Sequence, residues 1–218
     1  MKTLRLISII ACILIGTTTI EAQVGKSIQA FGVMPGNSPS VNKERLQVAI
    51  DKMSESGGAL YVEPAVGGYP IDGGIVLRRN VSLIGVHGPT GRGTATADRT
   101  RPTGSLFVIT DREHPFLTVE SATQVRGIQF YYPEQTFDNP DRIIPYPATI
   151  QMSQEAPVQG VTLSCLTFYG EYMAMDFRAK KPLICEQILF EHCYGYPLSG
   201  QFIAIDRCYD IPRILHCH

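Results

Sequence analysis

Two aspartates, three arginines and a set of paired tyrosines, histidines and cysteines are the residues here whose types could do chemistry. Ala174-Met175-Asp176 recurs as Ala204-Ile205-Asp206, 30 residues later. If the two segments are neighbouring turns of one scaffold, Asp176 and Asp206 lie near each other. Such a pair can serve as acid and base in glycoside hydrolysis, or hold a calcium ion that neutralises uronate charge. The plainer alternative is that each aspartate ends a strand and accepts turn N–H groups. Arg92, Arg99 and Arg101 fall in the polar stretch Gly85 to Gly104. Guanidinium groups bind carboxylates bidentately, so these three are the candidate ligands for an anionic sugar, with ordinary solvated loop charge as the alternative. Tyr131-Tyr132 and Tyr194 to Tyr196 can stack on sugar rings or pack inside a core.

His192-Cys193 recurs as His216-Cys217, 24 residues later, and Cys185 and Cys208 are 23 apart. Strand side chains alternate between faces, so histidine and cysteine of each pair point opposite ways and cannot all converge on one ion. The expectation is therefore no metal site, with cysteines stacked as apolar filler; a Cys193–Cys217 disulfide is the alternative in an oxidising compartment. Aligning the repeats puts Tyr132, Cys165, Cys193 and Cys217 in one column. Tyr131, Ser164, His192 and His216 then form the next.

The elements that must hold these residues are short. Leu46, Ala49, Ile50 and Met53 sit at i, i+3, i+4 and i+7 and predict one helix, capped by Ser40 and stopped at Gly57-Gly58. After it come β-like runs at 75–77, 81–84, 106–109, 116–119, 128–131, 149–152, 161–163, 174–177, 188–190 and 202–205, with no second amphipathic helix. Val125-Arg-Gly-Ile128 resembles Val158-Gln-Gly-Val161, a spacing of 33. Irregular periods in the twenties and thirties predict an all-β solenoid whose coils carry loops of different length. Residues 85–104 and 133–147 read as exposed loops.

The 218 residues carry a net charge of −1, which gives no pull toward nucleic acid or an anionic membrane. Lys2 and Arg5 precede the apolar run Leu6 to Gly16, and Ala22-Gln23 offers a cleavage site. Residues 1–22 thus read as a signal peptide of a secreted or periplasmic protein, too short to span a bilayer stably. Ile9-Ile10-Ala11-Cys12 resembles a lipobox, but the apolar run continues to Ile15, which disfavours lipid anchoring. The five later cysteines contain no CxxC, against a zinc ribbon or thioredoxin motif. Residues 23–218 are expected to form one domain. It reads as incomplete at its C-terminal end, where further coils or a partner would cover the last layer.

Phe31-Gly32, Leu46 to Ile50, Gly57-Gly58, Tyr61-Val62-Glu63-Pro64, Gly68-Tyr69 and Asn80-Val81-Ser82-Leu83-Ile84-Gly85 occur in an order that resembles the pectate-lyase-superfamily domain. That family is also described as rhamnogalacturonase- or epimerase-like and is related to glycoside hydrolase family 28. The resemblance implies a right-handed parallel β-helix with an N-terminal capping helix, acting by lyase or hydrolase chemistry on an acidic, pectin-like polysaccharide. The family's acidic segment is replaced here by Gly36-Asn37-Ser38-Pro39-Ser40-Val41-Asn42-Lys43, and the polygalacturonase-type Asn-x-Asp, Asp-Asp and Gly-His-Gly signatures do not occur. A non-catalytic glycan-binding or structural solenoid at the cell surface is the alternative.

Overall fold

The computed structural model describes residues 25–87 and 104–218. Residues 1–22, read above as a signal peptide, and Arg92, Arg99 and Arg101 lie outside the described residues.

Sixteen strands and one α-helix make up the described chain. They are β1 (Lys26–Ser27), α1 (Pro39–Ser54), β2 (Gly58–Val62), β3 (Tyr69–Ile71), β4 (Ile75–Leu77), β5 (Val81–Gly85), β6 (Ser105–Ile109), β7 (Leu117–Val119), β8 (Gln124–Arg126) and β9 (Ile128–Tyr131). There follow β10 (Ile150–Met152), β11 (Val158–Ser164), β12 (Thr167–Tyr169), β13 (Met175–Arg178), β14 (Cys185–Glu191), β15 (Ile203–Asp206) and β16 (Arg213–Leu215). The strands form three sheets, ordered β1-β2-β5-β8-β11-β14-β16, β3-β6-β9-β12 and β4-β7-β10-β13-β15. All pairings are parallel. The chain visits the sheets in rotation, so each coil contributes one strand to each, and the molecule is a right-handed parallel β-helix. Every expected β run falls on a strand or overlaps one.

Inward positions stack into columns. Leu60, Leu83, Val125, Leu163, Phe190 and Ile214 are in register along the first sheet. In the second sheet Tyr69, Phe107, Phe130 and Phe168 form an aromatic ladder that Phe202 extends, with neighbouring ring centroids 5.1–6.5 Å apart. Two corners of the coil use left-handed backbone. One, toward the start of the first sheet's strands, holds Gly57, Asn80, Ala122, Gly160 and Gln187, the last two inside β11 and β14; the other, behind the sheet, holds Gly127, Cys165, His192 and His216.

Helix α1 buries Leu46, Ala49, Ile50 and Met53, the face that the sequence predicts. Its N-cap is Ser38 rather than Ser40, because Pro39 supplies the preset first helical φ. Asn42, fully buried, fastens this cap. Its Oδ1 accepts from the Met34 N–H and Asn37 Nδ2, and its Nδ2 donates to the carbonyls of Met34 and Pro70, all at 2.8–2.9 Å. Asn42→Leu keeps the branched shape, with two methyl groups in place of oxygen and amide, but strands these groups. The expected loss is about 2–3 kcal/mol of unfolding free energy, read from urea melts.

Candidate functional site

The repeats chosen by identity slip against the true register. Asp176, on β13, pairs with Ala204, and Asp206, on β15, pairs with Arg178. The two carboxylates therefore share a strand pair but sit diagonally, two residues apart. A two-residue slip preserves the face, which is why the parity looks right in the sequence. Each has its own partner. Arg178 grips Asp176 with Nε on Oδ1 at 2.8 Å and Nη2 on Oδ2 at 2.5 Å, and its backbone N–H adds a third bond. Burial pushes the Asp176 carboxyl up, but the Arg178 bonds outweigh it and hold the group below its usual value. A carboxylate held charged in this way is poorly suited to donate a proton. Asp206 accepts the Arg207 N–H at 2.7 Å, a turn bond.

The column alignment is corrected as well. Cys165 belongs with His192 and His216 at the left-handed corner, and Leu166 precedes Cys193 and Cys217 on the inward side. Tyr131 stacks on Tyr169 in register. Tyr132 instead lies in the core, its ring 4.7 Å from Tyr146 and its hydroxyl bonded to Thr149 Oγ1 at 2.7 Å. Cys193 is fully buried, its thiol pushed up by its contact with Cys217 and by burial, as core filler should be. Cys185 meets Cys208 in a parallel bridge, matching their spacing.

What the corrected register assembles is a groove on the outer face of the second sheet. Tyr131, Thr167, Tyr169, Tyr194 and Tyr196 line it, with Phe137 from the loop after β9 and with Gly170 and Gly195. Outward positions of three successive coils supply the tyrosines: Tyr131 is in register with Tyr169 and Thr167 with Tyr194, so Tyr131 and Tyr194 lie two strands and two residues apart, about 12 Å. Tyr196 and Phe137 are 55% and 52% exposed.

The groove is held from below. Thr167 bridges to Tyr194, whose N–H donates to Leu166 O at 2.8 Å and whose carbonyl accepts from the Phe168 N–H. Buried Glu171 accepts the Tyr196 N–H on Oε1 at 2.6 Å, and its carbonyl takes the Leu198 N–H. The Cβ that any other residue would have at Gly195 would overlap Glu171 Oε1. Glu171 therefore fixes the Tyr194–Tyr196 segment close to the sheet. It was missed in the sequence because a single acidic residue beside Gly170 carries no repeat signal. At one edge His87 Nε2 meets Thr167 Oγ1 at 3.1 Å. Burial, and then the nearby His192, pull the His87 imidazole below its ordinary value, favouring its neutral form.

The groove is aromatic and hydroxylic, with uncharged lining residues. Asp176 and Asp206 lie on the third sheet, off this face. Among the described residues no helix is long and apolar enough to cross a membrane.

No protein-family model matches the chain, and no curated protein does. Solved structures do. A provisionally assigned glycosyl hydrolase from Parabacteroides merdae superimposes with a TM-score of 0.60 at 17% identity, over 89% of this chain and 84% of that one. A tailspike of an Acinetobacter baumannii phage, a capsular polysaccharide depolymerase, gives 0.46 at 13% identity over 78% and 29%. The Streptococcus pneumoniae surface adhesin PfbA gives 0.42 at 14% over 79% and 41%. At these identities the likeness to the first establishes the shared β-helix fold and nothing finer.

Proposed function

We propose that this protein is an extracellular glycan-binding β-helix of the pectate-lyase-like kind, which holds a polysaccharide chain along the tyrosine groove. The observation that carries the reading is the groove itself: three coils place tyrosines on one outward face around Thr167, with Tyr131 and Tyr194 half-buried, Tyr169 buried and Tyr196 exposed. Pyranose rings offer C–H faces to aromatic rings and hydroxyls to polar side chains, and a repeat of outward aromatics suits a repeating ligand.

Acidic polysaccharide is the first class to test, because Arg92, Arg99 and Arg101 belong to the same chain and guanidinium suits uronate carboxylates. Binding is better supported than cleavage. The aspartates proposed as catalytic lie on another sheet, and Asp176 is already committed to Arg178.

The test is a panel of uronate and neutral oligosaccharides, read both by calorimetry and for unsaturated product and new reducing ends. Saturable binding without product is expected. Turnover that disappears in Asp176→Asn and Asp206→Asn would replace the binding reading by the hydrolase or lyase one.

A further inference from the structure

The corner behind the first sheet interrupts strand alternation. Phe190 faces the core, Glu191 faces out, His192 takes φ 51°, and Cys193 returns to the core. The left-handed residue inserted at the corner lets two consecutive side chains, Glu191 and His192, leave on the outer side. One coil later His216 repeats the conformation at φ 52°. Pairing of Glu191 with Leu215, and the His192 N–H bond to Leu215 O at 3.0 Å, lock the two corners in register.

The consequence is a cluster of good ligand atoms. The imidazoles of His192 and His216 stack with centroids 4.7 Å apart and 26° between planes. Glu191 Oε1 stands 3.7 Å from His192 Nδ1. One donor atom from each of the three residues lies within 4.8 Å of the others. Alternation does exclude a mixed histidine and cysteine set, since Cys193 is on the core side. It does not exclude the histidine pair with Glu191, which an unbroken strand would have sent the other way.

We propose that Glu191, His192 and His216 form a site for a divalent cation of the zinc type, clipping the last coil to the one before it. Two imidazole nitrogens, which are borderline donors, with one carboxylate oxygen make a set that suits Zn2+ and its late first-row neighbours. Calcium and magnesium want six or more oxygens, which this corner lacks. Ligand bonds of about 2.0–2.2 Å require donors roughly 3–3.5 Å apart. The stacked rings are partly exposed, and the backbone positions are fixed by the register. Three protein ligands leave a coordination position for water or for a ligand oxygen.

The test is a calorimetric titration of Zn2+ into the full chain, beside His192→Asn, His216→Asn and Glu191→Gln. Asparagine tolerates the left-handed conformation, so the corner should survive, and a melt in chelator checks that it does. The wild type should bind one equivalent with a dissociation constant on the order of micromolar. Each histidine variant should bind at least about tenfold more weakly, and Zn2+ should raise the melting temperature of the wild type but not of the variants. Zinc bound equally well by the wild type and both histidine variants, as thiol capture would give, overturns the proposal. So does the absence of saturable binding below about 1 mM.

Discussion

Gly127→Ala should lower the unfolding free energy by about 3–5 kcal/mol, whereas Gly160→Ala should cost only about 1 kcal/mol. Both glycines have nearly the same backbone, φ 70° and φ 69°. A side chain in the left-handed region costs roughly 1–2 kcal/mol at either position. Space separates them. At Gly160 the nearest atoms to an added Cβ are the Ala122 backbone at 3.9–4.0 Å, an ordinary contact. At Gly127 the same atom would collide with the Gly85 carbonyl oxygen and lie 3.0 Å from the carbon that carries it. That obstacle is backbone in the paired strand β5 and cannot swing aside.

The neighbourhood of Gly127 is tight on a second count. Gly85 is itself pressed against Ser105, whose hydroxyl is bonded to Val62 O at 2.5 Å and accepts from the Val86 N–H at 2.7 Å. Relieving the clash means parting β5 from β8 or breaking this bonded corner. For a domain whose whole stability is about 5–15 kcal/mol, that is a large share. Urea melts of the two variants, compared at equal slope, are the measurement. Equal losses at the two positions would show that conformation alone, and not close approach, sets the cost.

The same pair of glycines shows where the sequence stops being readable. Val125-Arg-Gly-Ile and Val158-Gln-Gly-Val look like one repeat, yet Gly127 and Gly160 occupy different corners, and Val125 is in register with Leu163. What recurs in a β-helix is geometry, an inward apolar residue and a left-handed turn, and many residue types satisfy each. Cysteine, histidine, asparagine, alanine and glutamine all sit at corners here. Equivalent positions are 23 residues apart from Leu60 to Leu83 and 42 from Leu83 to Val125, so no fixed period can be laid over the chain. The helix face and most strands were legible because periods of 3.6 and 2 act within a few residues. Strands β1, β3, β8, β12 and β16 were not; β8, Gln-Val-Arg, for one, offers a single inward residue. Where coils are close in length and match in residue type, register was legible too: the 24-residue return of His192-Cys193 is real. The groove needed register across three coils, and so only Tyr131, Tyr194 and Tyr196, not Tyr169 or the grouping, could be picked out.

Grouping is what the tyrosine substitutions test. Tyr131→Ala and Tyr194→Ala should each weaken glycan binding about tenfold, and the double variant about a hundredfold, because sites about 12 Å apart add. An open aromatic that carries a ligand contact costs on the order of 1–2 kcal/mol when truncated, and both side chains face out from paired backbone that the change leaves intact. The decisive comparison is with the adjacent residue. Tyr132→Phe removes a buried hydroxyl bonded to Thr149 and should cost about 1 kcal/mol of stability while leaving affinity unchanged. Asp176→Asn should likewise leave affinity alone, because its carboxylate is on the third sheet and tied to Arg178. Calorimetry with the best-binding oligosaccharide distinguishes the possibilities. Wild-type affinity in the Tyr131 and Tyr194 variants would remove the groove from consideration, and loss in Asp176→Asn would move the binding face to the sheet of β13 and β15. Under the groove reading, neighbouring tyrosines of the same type separate cleanly into one that binds and one that only packs, according to which side of β9 each one leaves.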